Sequence, residues 1–150
     1  MGDYKALYKL WMERCEEETL HQELESIQDD DAAILDRFYT KLQFGTAGLR
    51  GVLGAGTNRM NIYTVNQATQ GIADYLNRNF PHPTVAIAYD SRINSELFAK
   101  ETAGVFAANG IKAYLYKELV PTPMLSFAIR QLKCVSGVII TASHNPAKYN

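Results

Sequence analysis

Thr84-Val85-Ala86-Ile87-Ala88-Tyr89, followed at once by the polar Asp90-Ser91-Arg92, decides how the rest of the chain is read. A short, largely apolar run that ends in polar residues reads as a buried strand leading into a loop. Upstream, Asn61 is placed to cap a helix running to about Asn77, with Val65, Ala68, Ile72 and Leu76 on one face. Downstream, a second helix covers Ser95 to Asn109 and stops at Gly110, the residue that most readily ends a helix in a left-handed turn. Ile111 to Tyr116 is a second strand, Pro121-Thr122-Pro123 opens a third helix, and Val135 to Ile140 is a third strand. Strand, helix, strand, helix, strand predicts right-handed crossovers. The expected fold is therefore α/β: three layers, α/β/α, around a mostly parallel mixed sheet.

Before residue 43 the pattern is different. Tyr4, Leu7, Tyr8, Trp11 and Cys15 recur at spacings of three and four, the apolar stripe of one helix. Thr19 with Gln22 reads as a capping box for a second, and Asp31 as the cap of a third with Ile34, Leu35 and Phe38 on its apolar side. Residues 1–42 hold eleven acids and five bases, net −6, whereas residues 43–150 hold five acids and ten bases, net +5, giving the −1 of the whole chain. The reading is an acidic helical extension over 1–42 and an α/β domain over 43–150. Glu16-Glu17-Glu18 and Asp29-Asp30-Asp31 are expected on solvated helix faces.

Composition narrows the function classes. With 150 residues, 47% of them apolar, the chain is long enough for one well-buried core. No apolar run approaches the roughly 20 residues of a membrane span, and the N-terminus lacks a signal peptide's apolar stretch, so a soluble, cytoplasmic protein is expected with no membrane partner. Cys15 and Cys134 have no metal-ligand spacing and are expected as free thiols. The basic half contains no block of Lys and Arg and no interleaved aromatics, which favours a small phosphorylated molecule over nucleic acid.

Ligands of such sheets gather beyond the carboxyl ends of the strands, and three loops stand out. Thr141-Ala142-Ser143-His144-Asn145-Pro146 places a hydroxyl beside an imidazole at a strand exit. A serine that carries phosphate needs only cationic and amide partners. The structural alternative is a turn in which Ser143 caps and Pro146 starts a helix. Phe44-Gly45-Thr46-Ala47-Gly48-Leu49-Arg50-Gly51 has three glycines that let the backbone approach a ligand, and Arg50 can offer two parallel N–H groups to a phosphate. It is neither a Walker loop nor a dinucleotide fingerprint. In Asp90-Ser91-Arg92, Asp90 can orient Arg92 toward the same mouth, the alternative being a surface ion pair.

The Thr141–Pro146 motif followed by Asn150, with Phe44–Gly51 upstream, resembles the α-D-phosphohexomutase superfamily of phosphoglucomutases and phosphomannomutases. Tyr89-Asp90-Ser91-Arg92 and Pro121-Thr122-Pro123 match the order of that family's first domain, over about residues 40–150. The helical extension and the Gly-Thr-Ala-Gly form are most similar to the longer phosphoglucomutases and to phosphopentomutase-like members. The resemblance implies a reversible shift of phosphate between the 1- and 6-positions of a hexose, or the 1- and 5-positions of a pentose, in carbohydrate metabolism. Ser143 would be the phosphoserine, passing its phosphate to a sugar monophosphate and recovering the other one from the bisphosphate formed. His144 would help organise the site and assist proton movement. Thr46, Arg50, Asn145 and Lys148 would meet substrate or phosphate, with Asp90 and Arg92 supporting them.

The resemblance also implies Mg²⁺ held through the phosphate on Ser143 and a sugar bisphosphate as activator. The family's metal is held further by an Asp-Gly-Asp-x-Asp-Arg loop, and nothing in residues 1–150 matches it. The family's catalytic lysine follows an Asn-Gly step, so Lys148 is not equated with it. The 150-residue chain is therefore expected to be inactive alone, and its uncovered sheet to favour self-association. Phosphopentomutase, and a sugar-phosphate-binding module without catalysis, remain as alternatives. A serine hydrolase is disfavoured, because adjacent Ser and His rarely align and no Gly-x-Ser-x-Gly elbow is present. A covalent probe for activated serines is accordingly expected to leave Ser143 unlabelled, as mass spectrometry would read. Light scattering at high concentration is expected to show association, and a clean monomer would count against it.

Overall fold

The structure, a computed structural model, describes residues 3–45 and 48–150, and Thr46, one of the expected phosphate contacts, lies outside them. The chain forms two compact units, one comprising residues up to Thr64 with Tyr149, the other Val65–Lys148 with Asn150.

The first unit is built on α1 (Tyr4–Arg14), α2 (Glu18–Ser26) and α3 (Asp31–Phe38). Leu24, Ile34, Phe38 and Ala55 are buried together, with Leu7, Tyr8 and Trp11 of α1 against them. Trp11 meets Phe38 and Tyr63 edge to face at 5.7 and 5.3 Å, the arrangement that ring quadrupoles favour. The helix starts differ from the sequence expectation. Glu17, not Thr19, caps α2, its carboxylate accepting from the Leu20 N–H at 2.6 Å. A full charge at the positive end of the helix prevails over a hydroxyl. Asp30, not Asp31, caps α3. Asp31 is left to accept from the Tyr4 hydroxyl and to pair with Lys5 at 2.8 Å, and these partners, Lys5 foremost, hold its carboxyl below the usual range. Leu35, expected on the apolar side of α3, is 37% exposed.

After α3 the chain is irregular yet closely held. Arg37 bridges the Glu23 carboxylate at 2.5 Å and the Ala55 carbonyl at 3.1 Å, while the Ala55 N–H donates back to Glu23 at 2.8 Å. Gly56 sits at φ +126°, where a Cβ would stand 2.7 Å from the Arg37 carbonyl oxygen. Asn61, 2% exposed, donates from Nδ2 to the carbonyls of Gly54, Gly56 and Arg59. Its Oδ1 accepts from the Thr64 N–H at 3.1 Å, and Thr64 Oγ1 accepts in return from the Asn61 N–H, a reciprocal helix cap. The expected cap is thus also the clamp of the preceding loop. Tyr149 joins this unit by an antiparallel bridge to Val52.

Helix α4 (Ile62–Asn79) starts there and continues through the second unit. Its buried positions are Val65, Thr69, Ala73 and Leu76, so Ala68 and Ile72 flank the buried face. There follow β1 (Thr84–Tyr89), α5 (Ser95–Ala108), β2 (Lys112–Leu115), α6 (Thr122–Gln131) and β3 (Ser136–Ile140). The described strands are all parallel, in the order β2-β1-β3. Along β1, Ala86 and Ala88 share a buried cluster with Leu125 and Ala128 of α6 and with Cys134. Val85 and Ile87, on the opposite face by the strand's period of two, are also fully buried. Helix α5 packs on the sheet too. Both cysteines are free thiols. Among the described residues no helix is long and apolar enough to cross a membrane.

Replacing Asn61 by Ala removes a cap and takes the side-chain donor from the Gly54 and Gly56 carbonyls, while the Arg59 carbonyl still accepts from the Thr64 hydroxyl. It is expected to lower unfolding stability by about 2–4 kcal/mol in a urea titration. Asn61→Asp, which keeps the cap oxygen and loses the donors, is expected to recover only part of that.

Candidate active site

Strand order places the site. From β1 the chain crosses to β2 on one side, and β3 returns to the other, so the carboxyl ends of β1 and β3 form a topological switch point. Tyr89 stands opposite Ile140, and the Asp90 N–H continues the ladder to the Ile140 carbonyl at 3.1 Å. The loop after β1 and the loop after β3 therefore leave the sheet side by side.

The β3 loop is a turn, and no helix begins at Pro146. Its fold is local: the Ser143 N–H donates to Thr141 Oγ1 at 3.0 Å, and the Asn145 N–H to the Ala142 carbonyl at 3.0 Å. Ser143 occupies the left-handed region at φ 53°, a conformation that costs a residue with a Cβ about 1–2 kcal/mol. Ser143 and His144 are both exposed, and Ser143 Oγ lies 3.4 Å from His144 Nδ1. That separation is at the outer edge of a hydrogen bond. Asn145 is half-buried, while Lys148 is exposed on the same loop.

The loop after β1 is tied into the β3 loop. Asp90 Oδ1 accepts from the Arg92 N–H and from the Ser95 hydroxyl, each at 3.0 Å. Asp90 thus shapes the turn through Arg92's backbone, where the sequence suggested that it would orient the guanidinium. Arg92 Nη1 donates to the carbonyls of Asn145 at 2.6 Å and Pro146 at 3.0 Å, and Nη2 to the carbonyl of Ser143 at 2.5 Å. The alternative of a surface ion pair does not hold: among the described residues Arg92 pairs with no carboxylate. Asn150, 1% exposed, donates from Nδ2 to the Ile93 carbonyl at 2.8 Å and to Ser95 Oγ at 2.9 Å. Asp90, Ser95 and Asn150 make one polar chain beneath the site.

Arg50 belongs to the first unit and is exposed; shortly before it the Gly45 N–H donates to the Gly48 carbonyl at 2.8 Å. Gly48 there has φ +122°. Among the described residues no group of three His, Cys, Asp or Glu side chains could hold a metal ion. The described side chains therefore do not make a Mg²⁺ site by themselves. Sequence reading missed Thr141 and Ser95 as holders of the two loops. Thr141 lies in a loop and Ser95 at the first position of α5, places where a short polar side chain is commonplace and names no partner.

The family model for the phosphoglucomutase/phosphomannomutase α/β/α domain I matches residues 41–150. A probable phosphoribomutase of Schizosaccharomyces pombe is 42% identical over 145 residues, 93% of this chain and 25% of that protein. A phosphoglucomutase of Staphylococcus aureus is 42% identical over 142 residues, 95% of this chain and 25% of its own length. A solved Thermus thermophilus structure assigned to the phosphomannomutases superposes with a TM-score of 0.68 at 35% identity, over 73% of this chain and 24% of that one. The chain thus spans about a quarter of the length of the relatives it matches.

Ser95→Ala removes the hydroxyl that joins Asp90 to Asn150 and is expected to cost about 1–3 kcal/mol in thermal or urea unfolding.

Proposed function

Because the chain belongs to the phosphoglucomutase/phosphomannomutase family, as its α/β/α domain I, we propose that it is the phosphate-carrying part of a sugar phosphomutase, with Ser143 as the carrier. The observation that supports this most directly is the exposure of Ser143 on a left-handed turn at the switch point of the sheet. A hydrolytic serine needs a base closely engaged with its hydroxyl. A phosphate carrier needs an accessible oxygen held by donors and cations, which suits a hydroxyl whose neighbouring imidazole nitrogen is 3.4 Å away.

In the proposed cycle the Oγ–P bond of phosphorylated Ser143 breaks as a hydroxyl oxygen of a sugar monophosphate bonds to phosphorus. The hydroxyl's proton passes to the Ser143 Oγ set free, a transfer that His144 is proposed to assist. The bisphosphate so formed returns its other phosphoryl group to Ser143 Oγ, the proton going back to the sugar oxygen released. Arg50, Thr46, Asn145 and Lys148 are proposed to meet phosphate or substrate. A phosphoryl group carries close to two negative charges, so cations and amides nearby stabilise its transfer. Mg²⁺, proposed as the cofactor, neutralises phosphate charge when bound and would take an oxygen of the Ser143 phosphate from this chain. The substrate class is a hexose or pentose phosphate, as the names of the relatives indicate for those proteins.

Incubation with a hexose 1,6-bisphosphate and Mg²⁺, followed by intact-mass and peptide analysis, tests the reading. One added phosphoryl group on Ser143, absent in Ser143→Ala, is expected. Reversible binding without modification would instead identify a sugar-phosphate-binding module. Conversion of glucose 1-phosphate to glucose 6-phosphate by the 150-residue chain alone is expected to be negligible, and robust turnover in a coupled assay would contradict that.

A further inference from the structure

Three carbonyl oxygens within four residues of the β3 loop, those of Ser143, Asn145 and Pro146, converge on one guanidinium. Carbonyl dipoles that converge on one point repel each other unless hydrogen-bond donors stand at their focus. Arg92 supplies them, half-buried and paired with no carboxylate among the described residues. Its own backbone is fixed by Asp90, which also accepts from Ser95, itself 1% exposed. The clamp therefore rests on the buried polar chain and, through β1, on the centre of the sheet.

Peptide planarity gives the clamp a second effect. In a trans peptide the C=O and the following N–H point in opposite directions. Drawing the Ser143 and Pro146 carbonyls to Arg92 turns the His144 and Ala147 N–H groups to the opposite side. The Asn145 carbonyl adds no such donor, because Pro146 has no N–H. The same contacts offset the unfavourable left-handed backbone of Ser143.

We propose that Arg92 is a positioning residue, holding Ser143 in its left-handed conformation and aiming the His144 and Ala147 amides at the phosphoryl group that Ser143 carries. The aim toward phosphate rests on the phosphomutase reading, whereas the hold on the loop does not. Arg92 needs its fork for this, since Nη1 and Nη2 serve different carbonyls. A lysine keeps the charge but concentrates its donors on one nitrogen.

The test uses the ¹⁵N-labelled 150-residue chain with Arg92→Met and Arg92→Lys. In ¹H–¹⁵N spectra the Ser143, His144, Asn145 and Ala147 amides are expected to shift or broaden in Arg92→Met, while those of Val85–Ala88 stay in place. Arg92→Lys is expected to restore them only partly. Unchanged loop amides would overturn the proposal, and global loss of dispersion in Arg92→Met would leave Arg92→Lys to decide it by the same amides. Phosphoryl uptake by Ser143 from hexose 1,6-bisphosphate is expected to slow by about ten- to a hundredfold. Altered amides with unchanged uptake would overturn the aiming of the amides. Absence of uptake in the unmodified chain would count against the phosphomutase reading, while altered amides would still support the hold on the loop.

Discussion

Parallel pairing of β1 on both of its edges is the constraint from which the second unit follows. Val85 to Ala88 have no exposed surface at all, so their peptide groups must find partners within the sheet. With β2 on one side and β3 on the other, both in the same direction, they do. The arrangement has a consequence for chemistry. The strands release their following loops at one edge, and the reversal of strand order sets the β1 and β3 loops next to each other there.

What those loops then do is governed by polar contacts rather than by apolar burial. Asp90 binds its own turn and Ser95; Ser95 receives Asn150; Arg92 gathers the carbonyls of the serine loop. Each contact is worth little in water and more where solvent is excluded. The first unit uses the same device without strands. There Glu23, Arg37 and Asn61 hold a glycine-containing segment, and its own Thr57 and Asn58 side chains donate to backbone carbonyls of Thr40 and Asp36.

The regular elements are legible in the sequence because they obey short-range rules. The apolar run at Thr84–Tyr89 is β1 to the residue, and Gly110, at φ +72°, does end the α5 turn. Expectation and structure part where several residues could serve equally. In a run of three aspartates, or of three glutamates beside a threonine, the cap is chosen by where neighbouring side chains pull, and Lys5 and Tyr4 draw Asp31 away from that duty. The makeup of the serine loop is likewise readable, since its residue types announce a turn. Its partners are not. Arg92 lies about fifty positions before the carbonyls it holds, and no periodicity or spacing connects a guanidinium to a set of backbone oxygens.

The left-handed backbone of Ser143 bears on a choice that reactivity alone leaves open. Serine and threonine hydroxyls are near equals as carriers of phosphate, yet a β-branched residue fits poorly at positive φ, where its extra methyl crowds the neighbouring peptide. At this turn the main chain discriminates between two chemically similar alcohols. On the reading proposed for Ser143, a torsion angle selects the residue as much as the reaction does.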